Sequence, residues 1–96
     1  MRTEELKHFW PDFIATFMSF ANKEDIVIRE KSTDEDQITF YWHDDDRSVH
    51  MKCKISYVGE AFGYDLVRVF LDEDYTPIVS SPHAAFAVCY CWWLNE

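Results

Sequence analysis

The chain has 96 residues, 48% of them hydrophobic and 28% charged, a balance that fits one globular unit and excludes a disordered tail. Its 18 Asp and Glu residues outweigh 9 Lys and Arg, leaving a formal charge of −9 that disfavours general affinity for nucleic acid or an anionic membrane. An aromatic share of 18% supplies enough large side chains for a dense core without disulfides or a metal.

From Leu6 the large side chains recur at Phe9, Trp10, Phe13, Ile14, Phe17, Met18 and Phe20, the three-and-four spacing of one buried helical face. Thr3 followed by Glu4 and Glu5 suits a helix start, whereas Pro11 lacks an N–H and pushes Trp10 away from helical geometry. The expectation is a short first turn, then a main helix from Pro11 to about Asn22.

Beyond that the period switches to two. Ile26 and Ile28 alternate with charged neighbours, and Ile38, Phe40 and Trp42 alternate with Thr39, Tyr41 and His43. Val49, Met51, Cys53, Ile55 and Tyr57 form a third run, and a fourth from Tyr64 to Leu71 sets Val67, Val69 and Leu71 against Leu66, Arg68 and Phe70. The linkers Ser32 to Asp36, Asp44 to Arg47 and Gly59 to Gly63 are short and polar, as hairpin loops are. Ile78-Val79 is long enough for a fifth strand, which Pro77 confines to an edge.

Near the end, Ser81-Pro82 offers an N-cap followed by proline at the first helical position, and Ala84, Ala85 and Ala87 favour continuation. Residues 84–94 are apolar on every side, so periodicity leaves a buried helix and a central strand both open. The simplest architecture is α+β: a single domain with a four- or five-stranded antiparallel meander, and N-terminal and C-terminal helices packed on one face.

That topology sorts the charges. The face opposite the apolar rows would carry Arg29, Lys31, Tyr41, His43, His50, Lys52, Lys54 and Arg68, either as a solvated sheet face or as a contact patch anchored by Tyr41. One end of the sheet would gather Glu24, Asp25, Asp44, Asp45, Asp46, Asp72, Glu73 and Asp74. Asp is a preferred turn residue, which accounts for each acidic cluster singly. Their convergence crowds like charges on one rim, a repulsion that a basic partner relieves.

Catalytic chemistry finds little support. The acidic runs lack the spaced ladder, glycine and distal glutamate of a calcium loop, and His8, His43, His50 and His83 fall in no zinc-ligand pattern with Cys53, Cys89 and Cys91. Cys53 falls on a core-facing strand position, which suits a small buried hydrophobe better than a nucleophile. Gly59 and Gly63 make no phosphate loop. The expectation is no enzyme, no cofactor and no metal. The odd cysteine number points to a reducing compartment, and neither a signal-peptide pattern after Met1 nor a run of roughly 20 apolar residues is present, so a cytoplasmic location is expected.

In size, charge and lack of a catalytic motif the chain is similar to small inhibitory partners such as toxin immunity proteins and phage anti-restriction or anti-CRISPR proteins. That likeness of composition implies an inhibitor that masks a basic, often nucleic-acid-binding, surface of a protein partner, without itself binding nucleic acid or membrane. The expected contact residues are Asp25, Asp44, Asp45, Asp46, Asp72, Glu73 and Asp74 on the rim, with Tyr41 and Trp93 as aromatic anchors, because Trp92 and Trp93 cannot both face one core from one helix. Two other readings are a homodimer or larger assembly formed through the aromatic C-terminal end, and a small ligand-binding domain or enzyme with a pocket between sheet and helices.

Overall fold

The computed structural model describes residues 3–33, 36–44, 46, 49–71 and 76–95, with side chains from Phe9 onward except at 29–33 and 49. The first helix, α1, spans Thr3–Lys23 without interruption, so the break expected at Pro11 does not form. Proline forfeits one backbone hydrogen bond and crowds the preceding turn. Rings on both sides of it hold the helix together: Phe9 and Trp10 each lie 5.5 Å from Phe13, and Phe9 also meets Tyr57 edge-on at 5.1 Å.

Five antiparallel strands follow in sequence order, β1 Val27–Thr33, β2 Gln37–Asp44, β3 Val49–Ala61, β4 Tyr64–Phe70 and β5 Ile78–Val79. The alternating runs land as expected: Ile38, Phe40 and Trp42 pair with Ile55, Cys53 and Met51, and all of them are buried with Val67 and Val69. β5 pairs with β4 at the edge. The second helix, α2, spans Pro82–Trp93, and the Ser81 side chain accepts a hydrogen bond from the Ala84 N–H at 3.0 Å. This cap, with proline in the first turn, selects helix over strand for the apolar run. Ala85, Phe86, Cys89 and Trp93 then fall on one buried face.

Both helices cover the same side of the sheet. Phe17 lies flat on Phe40, with centroids 4.4 Å apart and planes 3° from parallel, while its edge meets Trp42 and Phe86. Phe86 stacks on Trp42 at 5.6 Å, and Trp93 reaches the same indole at 5.5 Å.

One loop and one strand register differ from expectation. β3 continues through Gly59 to Ala61, with a register shift between Tyr57 and Gly59, and the chain reverses at Phe62-Gly63 alone. Both turn residues have positive φ, 54° and 81°, which is the type I′ geometry that matches the twist of paired strands. A second register shift, between Ile28 and Glu30, places Glu30 opposite Tyr41 and Lys31 opposite Phe40, so the unbroken alternation expected along β1 does not hold.

Two outcomes are expected in urea unfolding. Phe17→Ala removes the ring that joins helix, sheet and α2, and lowers stability by about 3–5 kcal/mol. Phe62 is 98% exposed, so Phe62→Asn loses no packing and relieves a left-handed conformation, raising stability by about 1 kcal/mol.

Candidate functional site

α1 ends in a turn that places its last residues at the rim of the sheet. Ile26 N–H donates to the Ala21 carbonyl at 2.9 Å and Asp25 N–H to the Asn22 carbonyl at 3.3 Å, with Asp25 at a left-handed φ of 57°. This is the Schellman arrangement, and buried Ala21 and Ile26 supply its usual apolar contact. Glycine is the common residue at the left-handed position. An aspartate there carries a side-chain penalty, and its charge faces the negative end of the helix dipole.

The beginning of β1, the end of β2 and the end of α2 meet this turn and enclose a cleft of about 450 Å³. Glu24, Asp25, Asp44 and Asp46 stand around it, and Ile26, Val27, Trp93 and Leu94 supply apolar surface. Tyr90 OH donates to Glu24 Oε2 at 3.0 Å, tying α2 to the end of α1. That hydrogen bond raises the Tyr90 phenol above its ordinary range, with desolvation and the charge of Glu24 acting in the same direction. Asp44 accepts from the Asp46 N–H at 3.0 Å, an Asx turn that fixes the start of the β2–β3 loop. On the neighbouring cross-strand pair, His43 and His50 share a hydrogen bond between their Nδ1 atoms at 2.7 Å.

Of the residues that the sequence placed on the rim, Glu24, Asp25, Asp44 and Asp46 therefore converge. Asp45, Asp72, Glu73 and Asp74 lie outside the described residues. Trp93 requires correction: it is only 5% exposed, packed on Trp42, and forms part of the cleft floor instead of an outward anchor. The helix turns Trp93 inward and leaves Trp92 partly covered at the core margin, so one α2 accommodates both.

Tyr41 is 36% exposed on the sheet face away from the helices, across from Lys52. Lys54 lies with its ammonium 4.8 Å above the Phe70 ring, and Leu66, Arg68 and Phe70 are each partly covered. The outer face thus satisfies part of its own cationic and aromatic surface. A second concavity of about 580 Å³ lies beneath the β3–β4 hairpin at the opposite end, between Phe9, Phe13, Tyr64 and Pro82. Its Asp65 carboxylate accepts from Tyr57 OH.

The His43–His50 pair was legible in principle, because alternation puts both on one face and a hairpin centred between them makes them partners. Nothing local announces the contact of Tyr90 with Glu24, 66 residues apart in the chain. Among the described residues, no three His, Cys, Asp or Glu side chains are placed to hold a metal ion, and no helix is long and apolar enough to cross a membrane. Neither a protein-family model, nor a curated protein, nor a solved structure matches the chain.

Asp25→Gly is expected to raise stability by about 1 kcal/mol in denaturant titration, since it relieves the left-handed penalty and removes a charge from the helix C-terminus.

Proposed function

We propose that the chain is a small non-catalytic binding protein that masks a basic surface of a protein partner, as an inhibitor does, with the acidic cleft as its contact. The observation that carries this reading is the grouping of Glu24, Asp25, Asp44 and Asp46 around an apolar floor. Lysine and arginine present a charged head on an apolar stem, and this arrangement offers carboxylates to the head and Ile26, Trp93 and Leu94 to the stem. Asp25 strengthens the reading, because local preferences favour another residue at its position and a partner's cation offsets that cost. The net charge of −9 adds a long-range field that speeds encounter with a basic surface. A nucleic-acid-binding enzyme or complex is the class of partner whose exposed basic surface suits such a mask.

The outer sheet face is the rival contact surface, and Tyr41 among His50, Lys52 and Lys54 is the feature that favours it. An assembly formed through the C-terminal end has less to offer, since Trp93 is engaged with Trp42 and the exposed apolar residue there is Leu94.

The test uses the full chain as bait in a lysate of its native cell, followed by association kinetics with the protein recovered. Asp44→Asn with Asp46→Asn keeps the Asx-turn acceptor and removes two negative charges from the net −9. This variant is expected to stay folded and to associate more slowly, by a factor that shrinks as salt is raised, because exposed charges are screened over about 8 Å at physiological ionic strength. Lys52→Glu with Lys54→Glu makes the net charge more negative and is expected not to slow association. A larger loss from the lysine variant transfers the interface to the outer face, and a salt-independent rate for the unmodified chain removes the role of the acidic cleft.

A further inference from the structure

Cys53 in β3, the middle strand, and Cys89 in α2 both lie wholly inside the core, and their sulfurs are 2.8 Å apart. That separation exceeds the 2.05 Å of a disulfide bond by about 0.75 Å. Both are free thiols, with either one able to donate to the other. Cys91, two residues along α2, is exposed, and a step of two residues on a helix turns a side chain by about 200° away from its neighbour. The fold thus separates one facing pair from one lone thiol.

We propose that Cys53 and Cys89 are a redox-modification site, at which a peroxide or a small-molecule disulfide joins them into an intramolecular bond that staples α2 to the sheet. With hydrogen peroxide, one thiolate sulfur attacks a peroxide oxygen, the O–O bond breaks, and the departing hydroxide takes a proton to become water, leaving a sulfenic acid. The second sulfur attacks the first and expels hydroxide, which takes the remaining proton as a second water. Two thiols lose two electrons and two protons, and the peroxide is reduced by the same two electrons. With oxidised glutathione, two successive exchanges release two molecules of glutathione thiol.

Burial controls the rate. The Cys89 thiol is pushed well above its usual range, first by desolvation and then by the hydrogen bond and charge of Cys53, so thiolate is scarce while α2 is docked. Oxidation therefore proceeds through excursions in which α2 lifts from the sheet, and conditions that loosen the helix accelerate it. Once formed, the bond spans a sequence separation of 36 residues and restrains the same helix whose Tyr90 and Trp93 line the acidic cleft.

The test takes the fully reduced chain and its Cys91→Ser variant, which leaves both core sulfurs in place. Each is incubated with hydrogen peroxide or oxidised glutathione at low urea, then alkylated, weighed intact and peptide-mapped. The expected product has lost two hydrogens, links the Cys53 and Cys89 peptides, and in the unmodified chain leaves Cys91 alkylated. The oxidised Cys91→Ser protein is expected to melt on the order of 10 °C above its reduced form. Recovery of alkylated Cys53 and Cys89 after oxidant treatment in urea, a mixed disulfide that never resolves, or dimers joined through Cys91 as the sole product would overturn the proposal. So would a linked product that melts no higher than the reduced protein.

Discussion

Phe17 lying flat on Phe40 is the contact through which the layers of this protein hold one another. The ring comes from the middle of α1, the surface beneath it from β2, and its edges meet Trp42 of β2 and Phe86 of α2, so one side chain joins its own helix to two other elements. Alternation along β2 and β3 makes this geometry available, because it turns Phe40, Trp42, Met51, Cys53 and Ile55 to one side with no polar group between them. The fit has a cost. The Trp42 indole N–H is buried without a hydrogen-bond partner among the described residues, in a site where the surrounding rings are apolar.

The same packing decides what appears at the ends. α1 terminates where Ala21 and Ile26 both bury, and that closure forces Asp25 into a left-handed turn beside Glu24. α2 is held by Phe86 and Trp93, which brings Tyr90 to Glu24 and completes one wall of the cleft. At the far end, the β3–β4 hairpin places Phe62 in a left-handed conformation with its ring in solvent. These positions break local preference most plainly, and such departures concentrate where a chain is shaped by something other than its own stability.

Electrostatically the molecule is divided along the sheet. Carboxylates occupy the loops at the rim, where neighbouring helix and strand ends crowd them together, whereas His50, Lys52 and Lys54 project from the uncovered face. Pairing of Lys54 with Phe70, and of His43 with His50, engages part of that face internally. The cleft combines carboxylates with apolar surface, and the proposed contact with a basic partner rests on that mixture.

The sequence by itself determined the α+β class, the meander and the faces of most strands, because a period of two and a period of 3.6 bury different sets of residues and admit few arrangements. It also placed the second helix start through Ser81 and Pro82, and brought Asp25, Asp44 and Asp46 to one end, since an up-and-down topology fixes which loops are neighbours. Tertiary structure decided what local rules leave open. Packing on both sides carried α1 through Pro11, strand pairing shortened the Gly59–Gly63 loop to two residues, and a bulge shifted the β1 register. The inward turn of Trp93 and the meetings of Tyr90 with Glu24 and of Cys53 with Cys89 depend on how α2 lies across the sheet. An apolar run without periodicity carries no preferred face, so the angle and rotation of that helix come only from the surface on which it packs.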